Sequence, residues 1–105
     1  MLISLDTLNA RIFAEQLHTK FTVPIAGAKP ILLELAEVSE RDSGPKMELF
    51  SLHFRGPVSP RLAQQIHRLE HEKLGAFEIF LTTIGADAQG TEYESIFHRF
   101  RQPQP

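Results

Sequence analysis

Apolar positions along this chain recur mostly at every second residue, the period of β-strands, with helical spacing near the start and again, in competition with alternation, over Ser59 to Gly75. The densest segment, Leu74 to Gly85 (LGAFEIFLTTIG), has apolar side chains on both alternating rows: Phe77, Ile79 and Leu81 on one, Ala76, Phe80 and Ile84 on the other. That pattern predicts a strand covered on both faces, in the middle of a small sheet. Its β-branched and aromatic content favours strand over a short buried helix, and Gly75 and Gly85 bracket it.

The other segments supply partners. Leu5 to Gln16 opens with Asp6 or Thr7 as N-cap and places Leu8, Ile12 and Phe13 at helical spacing, predicting a helix of two or three turns over a sheet end. Leu17 to Val23 alternates Leu17, Thr19, Phe21 and Val23 against His18, Lys20 and Thr22, and Pro24 ends this half-buried strand. After the loop Ile25 to Pro30, Ile31 to Val38 sets Ile31, Leu33 and Leu35 against Leu32, Glu34, Ala36 and Val38. Asp42, Ser43, Gly44 and Pro45 mark a turn. Met47 to Arg55 follows, with Phe50, Leu52 and Phe54 on one side and Leu49, Ser51, His53 and Arg55 on the other. These two segments read as an antiparallel hairpin with a polar outer face. Thr91 to Phe100 puts Tyr93 and Phe97 on one face and Ile96 and Phe100 on the other, a strand paired with the central one. Arg101 to Pro105 carries two prolines and reads as a frayed tail.

Ser59 to Gly75 carries conflicting signals. Ser59 as N-cap, Pro60 at the first helical position, Leu62, Ile66 and Leu69 at helical spacing, and Gly75 as terminator predict a helix. His67, Leu69 and His71 alternating with Ile66, Arg68 and Glu70 predict a strand turning back into Leu74 to Gly85.

Composition narrows the function classes. At 105 residues the chain is sized for one domain spanning 1–105. It has no cysteine, which excludes disulfide scaffolding, thiolate catalysis and cysteine-ligated zinc, and fits a cytoplasmic location. Eleven basic and thirteen acidic residues, without long blocks, lack the basic stripe that binding a phosphate backbone requires, so nucleic acid is not an expected partner. MLISLDTLNA has no basic residue ahead of its apolar run, unlike a signal peptide. The longest apolar stretch, ILLELAEV, is interrupted by Glu34 and Glu37 and falls well short of the ~20 residues a membrane helix needs.

Several motifs occur in one order: FSLHFRGP at Phe50 to Pro57, LAQQ at Leu62 to Gln65, HEKLGAFEIFLTTIG at His71 to Gly85, and YESIFHR at Tyr93 to Arg99. In that order and spacing the chain, from Leu5 onward, resembles a family of small uncharacterised bacterial domains, a domain-of-unknown-function family. Gln65, Thr83 and His98 stand where that family usually has glycine, proline and asparagine. The resemblance implies a β-rich fold, favouring a strand at Gln64 to His71. It implies no activity, and carries a loose association with phage-tail-like proteins.

Candidate chemistry is sparse. His67 to His71 reads HRLEH, the H-x-x-E-H form of inverted zinc metallopeptidases. That chemistry would use His67, Glu70 and His71 and requires a helix, where residues four apart share a face ~6 Å apart. On a strand the two histidines are ~13 Å apart and cannot hold one metal ion. The plainer reading is a solvated polar face. A metal site could otherwise draw on His18, His53 and His98, or ligands on His53, His67, His71 and His98, although His53 and His98 lie on predicted polar faces. Glu92 and Glu94 would need burial to act as an acid–base pair, Ser59 lacks a nucleophile-elbow context, and no glycine-rich phosphate loop is present. Of the eight phenylalanines most belong to the core, and any surplus on the central strand or Thr91 to Phe100 would be covered within the chain or by a partner.

The expectation is a mainly β domain: a small antiparallel barrel or compact sandwich of five to six strands with a short N-terminal helix. Its expected role is a non-enzymatic protein-interaction or assembly module, possessing no catalytic residues and no cofactor. The alternatives are a small-molecule or metal-binding β-barrel and a small zinc hydrolase.

Overall fold

Six segments with every second side chain apolar pair edge to edge until the last meets the first. The computed structural model describes residues 2–101. Its strands are β1 (Lys20–Val23), β2 (Ile31–Arg41), β3 (Met47–Gly56), β4 (Gln65–His71), β5 (Gly75–Asp87) and β6 (Gly90–Phe100). A 3-10 turn at Leu5–Thr7 and a short helix α1 (Ala10–Ala14) precede them. All strand pairs are antiparallel, and the sheet closes in the order β1-β2-β3-β6-β5-β4. The closing seam is narrow: β1 meets β4 at the single register pair Thr22↔Glu70.

Closure gives the sheet one interior, and the inward row of each strand fills it. Phe21 and Val23, Leu33 and Leu35, Phe50, Leu52 and Phe54, Leu69, Phe77 and Leu81, and Tyr93 are all buried. α1 plugs one end. Asn9 caps it, its Oδ1 accepting from the Ile12 amide at 2.9 Å, and Phe13 enters among Phe50, Phe77 and Phe97 at ring-centroid distances of 6.3, 5.8 and 5.9 Å. At the other end Leu62, from the β3–β4 loop, is buried, and its backbone N–H donates to the Tyr93 hydroxyl at 3.0 Å.

Several expectations are corrected. The N-terminal helix is one turn and a half, not two or three: Ser4 diverts the chain into the 3-10 turn and the cap is Asn9 rather than Asp6 or Thr7. Ser59 to Gly75 contains no helix; its cap-like residues lie in a loop, and Gln65–His71 is strand because His67, Leu69 and His71 alternate into the interior. β5 is covered on one face only, with Phe80 and Ile84 exposed, since a ring leaves every strand's outer row to solvent. Phe100 is likewise exposed. Val38 does not share a face with Leu32 and Glu34: an extra residue at Ala36, between the pairs Leu35↔Phe54 and Glu37↔His53, restores it to the core side. β1 begins at Lys20 because Gln16, Leu17 and Thr19 form turn hydrogen bonds and His18 takes a φ of 68°. Of the expected tail, residues 102–105 lie outside the described residues; Arg101 still donates its amide to the Lys46 carbonyl.

Tyr93→Phe removes one oxygen and leaves the buried Leu62 amide unpaired. Urea unfolding should show a loss of about 1–2 kcal/mol with an unchanged m-value.

Candidate functional site

His67 and His71 point inward from β4 and are buried, not solvated as the polar-face reading expected. Glu70, between them in sequence, faces outward, where Glu70 Oε2 accepts from Arg68 Nε at 3.1 Å. Strand geometry separates the two rings by roughly 13 Å and turns the glutamate to the opposite face. Each histidine has a local role. His67 Nε2 donates to the Ala63 carbonyl at 2.6 Å, tying the loop to the start of β4. His71 Nδ1 accepts from the amides of Lys73 and Leu74 at 3.0 and 3.2 Å, organising the β4–β5 turn that Gly75 completes at φ 91°.

With Nδ1 an acceptor, the His71 proton sits on Nε2, which donates to Thr19 Oγ1 at 2.8 Å; that hydroxyl donates to the Gln16 carbonyl at 2.7 Å. This relay stands at the β1–β4 seam, and the ring also packs on Phe21 at 4.4 Å between centroids. Burial lowers the His71 pKa from 6.5, so the imidazole stays neutral.

The outer-face histidines are dispersed. His53 on β3 lies between Glu37 of β2 and Glu94 of β6, Nδ1 at 3.3 Å and Nε2 at 2.8 Å from carboxylate oxygens. Arg55 and Glu92 pair beside it at 3.0 Å, so Glu92 and Glu94 each face a basic partner rather than one another. His18 approaches Glu34 at 3.4 Å, and Lys20 does so at 3.2 Å; together they lower the Glu34 pKa, the Lys20 hydrogen bond contributing most. His98 is exposed on β6 and Ser59 is exposed in the β3–β4 loop. Among the described residues no three His, Cys, Asp or Glu side chains are grouped to hold a metal ion.

Two features escaped the sequence reading. One is Arg99, which shares the inward row of Tyr93, Ser95 and Phe97. Its Nε donates to Glu48 Oε1 at 2.5 Å, its Nη1 to the Leu5 carbonyl at 2.9 Å, and its Nη2 to the Leu8 carbonyl. The guanidinium also lies 5.7 and 5.3 Å from the centroids of Phe50 and Phe97, which stack on each other at 4.6 Å. Glu48 and Arg99 are direct register partners, a signal available once β3 and β6 are aligned.

The other is an apolar row across three strands. Ile66 of β4 is the register partner of Phe80 of β5, and Ile96 of β6 joins them around a cleft of about 530 Å³. Exposures of 62, 49 and 63 % mark the row as unpacked. Exposed single apolar residues are ordinary, but neighbours on adjacent strands form a patch. The sequence pattern predicted cover for Phe80 and set Ile96 only on the face opposite Tyr93 and Phe97; register brings the three residues together.

His71 yields a pH prediction. Above pH 6.5 the unfolded and folded states both hold a neutral imidazole; below it the unfolded chain takes up a proton that the folded one resists, so stability is lost as pH falls toward the depressed folded pKa. His71→Asn retains an acceptor for the turn amides, and its unfolding free energy should fall less steeply than the parent's between pH 7 and pH 5 in urea titrations. For Arg99→Met, stranding Glu48 should cost about 3 kcal/mol, and adding Glu48→Gln should recover part of that loss in a double-mutant cycle.

Among the described residues no helix is long and apolar enough to cross a membrane. No curated protein and no solved structure matches the chain. A family model does match, over residues 8–97, from Leu8 ahead of α1 to Phe97 near the end of β6. The chain therefore belongs to the family described as Domain of unknown function (DUF6916).

Proposed function

We propose that this domain is a protein-interaction module whose docking face is the outer surface of β4, β5 and β6. The observation that carries the reading is the Ile66–Phe80–Ile96 row, exposed around its cleft while other apolar rows of the same strands are buried. An apolar centre needs a polar surround for specificity, and Arg68, Glu78 and His98 supply one a step along the same strands. The ring's interior is occupied by its own aromatic and aliphatic side chains, which favours a role for the outside over one for a bound small molecule.

The test is a photo-crosslinking residue at Glu78, introduced in the native host, with the same residue at Glu40 as the control on a distant face. The expected result is a discrete protein adduct at Glu78, absent at Glu40, and abolished by Ile66→Ser, Phe80→Ser and Ile96→Ser together. These side chains face outward, so the triple variant should retain the parent's circular dichroism and cooperative unfolding. Equal adducts at both positions, or an adduct that survives the triple substitution, would remove the basis for this reading.

A further inference from the structure

Resting on that reading, we infer that the β5–β6 cleft binds an extended segment of the partner as an inserted strand, parallel to β5 and antiparallel to β6. The β5–β6 ladder runs from Asp87↔Gly90 to Thr82↔Glu94 and stops there. Beyond it the strands continue apart: residues 75–81 of β5 pair with β4, and residues 95–100 of β6 pair with β3. Among the described residues, the one register partner on the cleft side of these runs is at Ala76.

That exception shows what the edge accepts. Leu2 bridges Ala76 in parallel, and the Ile3 amide donates to the Ala76 carbonyl at 2.7 Å. The Ala76 carbonyl therefore faces the cleft, and by the two-residue repeat of a strand so do the backbone groups of Glu78 and Phe80. The same parity makes Thr82↔Glu94 a hydrogen-bonded pair and aims the backbone of Ile96 and His98 into the cleft from the other side. The chain's own segment leaves this edge at once: Ser4 caps the 3-10 turn, and Arg99 holds the Leu5 carbonyl at the foot of the cleft. An extended apolar segment thus already occupies the lower part of the edge, and the upper part, from Glu78 to Phe80, is left to another.

The geometry specifies the occupant. A helix or folded surface laid on Ile66, Phe80 and Ile96 would bury apolar area and leave two backbone edges without partners beneath it, a costly arrangement. A strand satisfies both edges. About four residues, roughly 13 Å of strand, fill the run. Outward side chains of the insert lie between Phe80 and Ile96 and should be branched and apolar; inward ones meet Ile79 and Phe97 and should be small. Proline is excluded at positions that donate to either edge.

Amide hydrogen exchange on the full chain, followed by NMR, tests the inference. In the free protein Ile79, Leu81, Ser95 and Phe97, which face paired neighbours, should be protected, while Glu78, Phe80, Ile96 and His98 exchange freely. Short synthetic peptides alternating valine with serine between terminal lysines should slow those four amides at least about tenfold, and backbone N-methylated versions should not. Protection of the four in the free protein, no slowing with any unmethylated peptide, or equal slowing by methylated ones overturns strand insertion. Slowing that depends on protein concentration alone assigns the cleft to a second copy and overturns the partner. A Glu78 crosslink without amide protection leaves the docking face standing and removes the inserted strand, so the two proposals fail separately.

Discussion

The constraint on which this structure depends is closure. An open sheet of these six strands would present two faces and two free edges, and the residues that form the core lie on one of those faces. Joining β1 to β4 turns that face into an interior, and the alternation within each strand then decides what is core and what is surface. The joint itself is slight, one register pair beside the His71–Thr19–Gln16 relay, so the ring is held mainly by what it encloses. Phe13 from one end and Leu62 from the other complete the enclosed volume.

Polar groups inside the ring serve its ends and its seam. His71 is neutral because burial disfavours its charged form and because two amides already point at Nδ1. Arg99 is tolerated inside because it has a carboxylate, two carbonyls and two aromatic faces. Both join segments distant in sequence, 52 residues apart for Thr19 and His71 and 94 for Leu5 and Arg99. Neither arrangement resembles a site awaiting substrate, since their polar atoms already have partners within the fold.

Much of the fold was legible because a strand's period of two survives in sequence without knowledge of its neighbours. The row of Phe50, Leu52 and Phe54 opposite a polar outer face, and the sharing of one face by Tyr93 and Phe97, were read on that ground, and both rows are buried. What was not legible depends on registration between strands. The extra residue at Ala36, which returns Val38 to the core, looks in sequence like uninterrupted alternation. The apolar content of both rows of β5 suggested double cover, whereas one row meets the core and Phe80 on the other meets Ile66 across a register that no local signal encodes. Ser59, Pro60 and Gly75 form a plausible helix frame, but the buried alternation of His67, Leu69 and His71 outweighed it, an instance of tertiary burial overriding local propensity. The same outcome disposed the HRLEH run along a strand, with its histidines inside and its glutamate outside.

The two bulges carry a consequence for how chains of this kind can vary in length. Deleting Ala36 would leave Leu35↔Phe54 and Glu37↔His53 as consecutive pairs of an ordinary ladder, and deleting Ile84 would do the same for Thr83↔Tyr93 and Gly85↔Glu92. Every remaining side chain would keep its face. What would be lost is local bending, because an extra residue on one side of a ladder is what curls that strand. Insertions and deletions are usually accommodated in loops. In this fold two positions inside strands offer the same freedom, and the quantity they adjust is the curvature with which the sheet comes round to meet itself.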